Sequence, residues 1–235
     1  MLKIKNLHVN YNGLSALSGV NLDVEHSQFI SVVGPNGAGK TTLFKAISGT
    51  VDVAEGSIKF KGEDLIKVKP TDRPHLGIAH VPEGRQVFSD LTVRENLEMG
   101  AITKAGRMNW KENLLFINTI FPILEQRSKQ LAGTLSGGQQ QMLAISRAIA
   151  SSPDLILFDE PSMGLAPSVA DQIFEQIVSM HKIKRLTVLL VEQRAIEAFE
   201  NCDAGYVLET GRVAMHGLRD ELLANDRIRN AYFGF

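Results

Sequence analysis

Phe29-Ile30-Ser31-Val32-Val33-Gly34-Pro35-Asn36-Gly37-Ala38-Gly39-Lys40-Thr41-Thr42 is the stretch on which the reading turns. Phe29 to Val33 is a strand-length, almost wholly apolar run. It leads straight into Gly34 to Thr41, which matches the phosphate-loop pattern G-x-x-x-x-G-K-[ST]. From Thr41 to Ser48 the pattern is helical, with Leu43, Phe44 and Ile47 on one stripe. Strand, loop and helix together exclude a chance glycine-rich turn. Glycines let successive backbone N–H groups turn inward around phosphate oxygens, and the helix start adds partial positive charge at the same place. Lys40 is the candidate for the β- and γ-phosphates, and Thr41 offers its hydroxyl to magnesium.

Outward from this loop, short apolar runs recur at Gly77–Val81, Leu155–Phe158, Leu186–Val191 and Gly205–Leu208. They show little polar alternation, as strands buried on both faces do. Helical patterns at Ser168–Lys182 and Arg194–Asn201 separate several of them, so the expected fold is α/β with a mainly parallel sheet. Leu2–Val9 and Leu17–Val24 read as strands joined without a helix, and Lys59–Glu63 as a strand entering a turn; these imply an N-terminal antiparallel β layer. From about Leu91 to Ala150 helix signals dominate. Thr92 with Glu95, and Asn109 with Glu112, have N-cap spacing, and Pro122 breaks the apolar stretch Trp110–Gln126. The expected organisation is a core of residues 1–85 and 152–235 with a helical subdomain, about 86–151, inserted into it.

Two further motifs carry chemistry. Leu155-Ile156-Leu157-Phe158-Asp159-Glu160 is an apolar strand ending in two acids, at the strand end where α/β folds bind ligands. Asp159 suits the magnesium shell, and Glu160 suits the base that orients and deprotonates an attacking water. Leu135-Ser136-Gly137-Gly138-Gln139 opens an apolar helix. Ser136 and Gln139 make a capping box, but a capped start needs no glycine pair. Gly137 and Gly138 expose N–H groups at a positive helix end, as a second anion site would.

Composition narrows the function. A formal net charge of -1 argues against a dominant nucleic-acid footprint. Lys59, Lys61, Lys67 and Lys69 are interrupted by Glu63 and Asp64 and read as a solvated face. Cys202 is the single cysteine, so no intrachain disulfide forms, which fits a reducing compartment. Met1 to Lys5 alternates charged and apolar residues, unlike a signal peptide. No apolar run approaches the roughly 20 residues of a membrane span. The six histidines have no metal-ligand spacing.

The order Tyr11, Gly34–Thr42, Leu135–Gln139, Asp159-Glu160 and Ser162-Met163-Gly164-Leu165 resembles an ABC-type ATPase over the whole chain. Leu135–Gln139 matches that family's signature motif. The resemblance implies two ATPase chains packed head to tail, each ATP lying between one chain's phosphate loop and the other's signature motif. Ser136, Gly137, Gly138 and Gln139 would then act in trans, Tyr11 would stack on adenine, and Ser162–Leu165 would communicate across the interface. It further implies ATP and Mg2+, transmembrane permease subunits, a second ATPase chain (a homologue or a copy), an indirect link to a substrate-binding protein, and a peripheral place on the cytoplasmic membrane face.

The sequence departs from the family pattern twice. Glu83 stands where a magnesium-contacting glutamine is usual, and Gln193 stands where a histidine usually meets the γ-phosphate. Pro82-Glu83-Gly84-Arg85, Val191-Glu192-Gln193, Gly164-Leu165-Ala166-Pro167 and Ala231-Tyr232-Phe233-Gly234 resemble an ATPase subunit of branched-chain amino acid importers. Related importers of urea or other amides look similar. A soluble, non-transport ABC ATPase is the other alternative, although the chain has neither a second cassette nor a long coiled coil.

Overall fold

Asn12 and Gly13, both with positive φ (48° and 84°), form the tight turn joining the first two strands. This is the Asn-Gly pairing that suits a two-residue hairpin. In the computed structural model, which describes residues 1–232, β1 (Leu2–Tyr11) pairs antiparallel with β2 (Leu14–Val24) on one side. On its other side it pairs with β4 (Glu55–Phe60), which follows β3 (Phe29–Val33) and α1 (Lys40–Ser48) in the chain. Short β5 (Glu63–Asp64) completes a four-stranded sheet in the order β2-β1-β4-β5. Leu2, Ile4, Leu7 and Val9 of β1 are buried while Lys3 and Lys5 are exposed, the alternation of a sheet with one wet face.

Next in the chain come β6 (Ile78–Val81), α2 (Val93–Gly100), α3 (Lys104–Met108), α4 (Trp110–Ile120), α5 (Pro122–Gln126) and α6 (Gly137–Ala150). After them come β7 (Leu155–Asp159), α7 (Pro167–Lys184), β8 (Thr187–Glu192) and α8 (Ala195–Glu200). The described chain closes with β9 (Ala204–Glu209), β10 (Arg212–Leu218), α9 (Arg219–Ala224) and α10 (Asp226–Tyr232). Phe233 and Gly234, part of the C-terminal resemblance, lie outside the described residues. Among those residues no helix is long and apolar enough to cross a membrane.

The chain divides into two compact units, residues 1–73 with 187–235, and residues 74–186. In the first, β3 lies between β8 and β9, parallel to both, and β10 pairs antiparallel with β9. Every residue of β3 and β8 is buried, which accounts for their unalternated apolar sequences. The α/β character with a mainly parallel sheet and an antiparallel β layer is therefore as the sequence implies. Arg73 closes the C-terminal end of α1. Its guanidinium donates to the Ala46 carbonyl at 2.8 Å and the Leu65 carbonyl at 2.6 Å, supplying positive charge where a helix end leaves carbonyls unpaired.

In the second unit, β6 and β7 are parallel neighbours and α2 to α6 fill the sequence between them. Thr92 and Ser136 each make the capping box their spacing implies, at the starts of α2 and α6. Asn109 is different. It occupies the N-cap position of α4, but its side chain makes no cap bond and donates instead to Ser152 Oγ at 3.3 Å. Glu112 is likewise drawn away from a capping role, to an ion pair with Lys184 at the end of α7.

His80 of β6 opposes Leu157 of β7, and burial pushes its imidazole down from 6.5 to about 4. The unfolded chain therefore takes up this proton first as pH falls. The stability that neutral His80 contributes is full above about pH 6.5 and is lost progressively towards pH 4. His80→Gln cannot titrate. The difference in unfolding free energy between wild type and this variant should shrink by up to about 3 kcal/mol from pH 7 to pH 4. Urea titrations at several pH values measure it, and parallel curves for the two proteins would refute it.

Candidate functional site

In the first unit the loop Gly34–Gly39 is built against backbone. Val33 stands opposite Val207 of β9 and Glu192 of β8, so the chain leaves β3 hard against the end of β9. A Cβ on Gly34 would lie 2.1 Å from the Leu208 carbonyl oxygen, and one on Gly39 would lie 2.7 Å from Leu17 Cδ2 and 2.8 Å from the Ala16 carbonyl oxygen. Gly39 is also left-handed, at φ 102°. Two hydrogen bonds fix the loop. Ala38 N–H donates to the Pro35 carbonyl at 3.1 Å, and Gly211 N–H donates to the Ala38 carbonyl at 2.9 Å. Pro35, Asn36 and Gly37 remain exposed.

Lys40 is buried, and its Nζ donates back to the Gly34 and Pro35 carbonyls at 2.8 and 3.2 Å. Two loop carbonyls thus accept from its ammonium. Helix α1 starts without a side-chain cap and without an acid in its first turn. An uncapped helix start, a buried lysine and an exposed loop tip are features that suit an anion site. Thr41 and Thr42, half-buried, open that helix.

Two other candidates belong to this unit. Tyr11 ends β1 opposite Leu14 and is 41% exposed, which leaves ring surface for stacking. Gln193 leaves β8 one residue after Glu192, which pairs with Val33, the residue before Gly34. It is exposed, and its N–H donates to its neighbour's Glu192 Oε2 at 3.2 Å. The N-cap of α8 is Arg194, so Gln193 is not the helix cap that its position alone allows.

The second unit holds the remaining candidates. Asp159 ends β7 with 2% exposure, and Glu160 follows with 8%. Glu160 has φ 47°, a conformation that costs a non-glycine residue on the order of 1–3 kcal/mol and turns the chain sharply at the strand end. The following turn, with Gly164 at φ 67°, is closed by the Met163 N–H donating to the Glu160 carbonyl at 3.1 Å. Glu83 is exposed in the turn after β6. Ser136 caps α6: Gln139 N–H donates to its Oγ at 3.4 Å, and its own N–H donates to Gln139 Oε1 at 3.1 Å.

The glycine pair has a steric reason that the sequence does not show. A Cβ on Gly137 would lie 2.7 Å from Arg85 Nη1, and one on Gly138 would lie 2.5 Å from Val169 Cγ1. The start of α6 is thus packed tightly as well as capped. Arg85 enters the sequence reading only inside a motif; no spacing rule places it beside Gly137.

A phosphate loop on a parallel sheet, with a strand-end acidic pair and a glycine-rich helix start, defines a P-loop ATPase. The chain belongs to the ABC transporter family, which matches residues 17–163, and is an ATP-binding, ATP-hydrolysing subunit of that class. It is 43% identical, over 100% of both chains, to the high-affinity branched-chain amino acid transport ATP-binding protein BraG of Pseudomonas aeruginosa. It is 38% identical to the probable branched-chain amino acid transport ATP-binding protein LivF of Archaeoglobus fulgidus, over 100% of this chain and 99% of that one. Its fold matches the dimeric post-hydrolysis state of an ATP-binding cassette bound to ADP and Pi. That match has TM-score 0.81 at 25% identity and covers 93% of this chain and 99% of that one.

Gly34→Ala tests the loop. Its methyl meets a backbone carbonyl, which cannot swing aside as a side-chain end can. ATP affinity should fall at least tenfold, about 1.4 kcal/mol or more, with the change read by titration calorimetry beside a thermal melt. Affinity within twofold of wild type would show that the loop tolerates the displacement.

Proposed function

We propose that this chain energises a membrane importer for branched-chain amino acids. It would work with transmembrane permease subunits and a second ATPase chain, on the cytoplasmic face of the membrane. Two full-length relatives carry that transport role in their names. The observation that carries the reading is the acidic pair. Asp159 and Glu160 are both buried, and Glu160 sits in a strained left-handed turn directly after the strand end. A regulatory module would not need a second carboxylate held at such cost; a hydrolase needs it as the base.

In this reading Lys40 holds the β- and γ-phosphate oxygens, acceptors that make stronger, charge-assisted bonds than the loop carbonyls do. The N–H groups of the loop and of the start of α1 surround the same oxygens, and Tyr11 covers the adenine. Gln193 holds the attacking water or the γ-phosphate by its amide, and Glu160 takes the proton from that water. Thr41 and Asp159, with Glu83 beside them in role, would hold Mg2+. These are hard oxygen donors, and among the described residues no three His, Cys, Asp or Glu side chains form a protein-only cage. That fits magnesium, which is commonly bound by one or two protein ligands plus phosphate; when bound it neutralises charge on the phosphates. Ser136 with the N–H groups of Gly137 and Gly138, and Gln139 behind them, would meet the γ-phosphate bound to the second chain. The dimeric cassette with ADP and Pi motivates that placement. Closing and opening of the pair would drive the permease between its two access states.

Four variants test the assignments. Glu160→Gln should bind ATP yet hydrolyse it about 10²–10⁴ more slowly; wild-type turnover with the permease present would sink the base. Ser136→Arg should block ATP-driven dimerisation while single-chain ATP binding persists in a titration, and lost single-chain binding would point to misfolding. Gln193→Ala should lower hydrolysis with ATP affinity kept within a few-fold. Gln193→His should stay active and gain a pH dependence between about 6 and 7.5. Rates against pH, measured with the permease reconstituted, decide this last pair, and an alanine variant as fast as wild type removes the catalytic role.

A further inference from the structure

The turn after β6 is strained. Gly84, Arg85 and Gln86 are left-handed in succession, with φ 83°, 68° and 45°, and two of them are not glycine. Gln86 N–H donates to the Gly84 carbonyl at 2.7 Å, which closes the turn on itself. Such a conformation persists only where its surroundings over-determine it. Here contacts to Gly164, Gly137 and Arg147 supply that constraint. Arg85 Nη2 donates to the Gly164 carbonyl at 3.1 Å. The same guanidinium fills the space of Gly137's absent side chain, with Nη1, Cζ and Nη2 at 2.7, 2.9 and 3.0 Å from where a Cβ would be. Gln86 is held from the other end of α6, its carbonyl accepting from Arg147 Nη2 at 2.8 Å. Arg147 in turn lies 4.9 Å over the Phe88 ring.

A guanidinium against the N-terminal end of a helix is electrostatically disfavoured. It stays because the Gly164 carbonyl accepts from it and because residue 137 has no side chain. One arginine therefore touches three segments: the turn beginning at Glu83, the first residue of α6, and the Gly164 turn after the acidic pair.

We propose that Arg85 is a positioning residue that locks the start of α6 to the Gly164 turn. The signature motif and the loop after the acidic pair then move together with the Glu83 turn, and present themselves to the second ATPase chain as one piece. This rests on the shared-site reading above and names what aligns its trans half. Arg85 touches no nucleotide in this scheme. It sets where Ser136 and the Gly137 and Gly138 N–H groups lie. Its loss should therefore weaken the ATP-bound dimer rather than ATP binding to one chain.

The test uses the full chain carrying Glu160→Gln, so that ATP persists, and reads the dimer dissociation constant with ATP by sedimentation. Arg85→Ala should raise that constant about tenfold, with ATP binding to the single chain unchanged. Gly137→Ala keeps its N–H and adds one methyl, and the atoms it meets are the movable end of Arg85. It should weaken the dimer to a similar extent without lowering the melting temperature, since alanine suits a helix better than glycine. The double variant should be no worse than either single one, because both remove the same contact. Additive losses in the double variant, or an Arg85→Ala protein that dimerises like its parent, would overturn the inference. A parent that fails to dimerise with ATP would instead sink the shared-site reading, and this inference with it. If Arg85→Ala folds poorly, Arg85→Gln replaces it in the same measurement: a dimer as tight as the parent's overturns the proposal, and a weakened dimer with single-chain ATP binding and the melt intact supports it.

Discussion

The close approach of backbone to backbone around the phosphate loop is the constraint on which the first unit depends. Gly34 is pressed on the Leu208 carbonyl, Gly39 on Leu17 and the Ala16 carbonyl, and Gly211 donates to the Ala38 carbonyl. Nothing larger than hydrogen fits at Gly34. β9, the turn into β10, and β2 of the antiparallel sheet must therefore all be in place before the loop can take its shape. Packing of this density has no slack. The N–H groups that could meet phosphate are consequently fixed in advance rather than gathered by the ligand. Preorganised donors of this kind lose no reorganisation energy when charge arrives.

The second unit solves a related problem by another route. The start of α6 is exposed at Ser136, so backbone packing alone cannot hold it. A reciprocal capping box sets the helix end, and Arg85 and Val169 fill the two places where side chains are missing. Capping supplies about 1 kcal/mol at such a site, while the tight contacts fix its position. The two glycine-rich elements look alike in sequence but differ physically. One is glycine because the backbone must turn left-handed against other backbone; the other is glycine within regular helix because neighbouring side chains occupy the space.

Much of this was legible from residues 29–42 and 155–160. Strands buried on both faces announce themselves by unbroken apolar runs, and β3, β7 and β8 are buried throughout. Two capping boxes were legible because the motif is local: donor and acceptor are three residues apart. What was not legible depends on partners distant in sequence. Asn109 and Glu112 have cap spacing, yet each is claimed by a remote group, Ser152 and Lys184. β10 escaped notice because its residues only alternate between exposed and half-buried, so it carries no buried apolar signal. Arg73 at the end of α1 and Arg85 beside Gly137 act through backbone carbonyls and an absent side chain, and neither leaves a pattern at fixed spacing.

The two departures from the family pattern have a common electrostatic consequence in the proposed site. Replacing a histidine by Gln193 removes a group that titrates near neutrality, and replacing a glutamine by Glu83 puts a carboxylate among the groups proposed for the metal. Both changes lower the positive charge available to a nucleotide. The groups left to hold phosphate in that scheme are backbone N–H donors, hydroxyls, an amide and the Lys40 ammonium. The absence of any acid from the first turn of α1 fits the same economy of charge, because a carboxylate there would compete with phosphate for the same N–H groups. With no histidine at residue 193, positioning has to carry what charge does not. In the proposed scheme that positioning falls to the backbone-packed loop of one unit and to the start of α6, braced by Arg85, in the other.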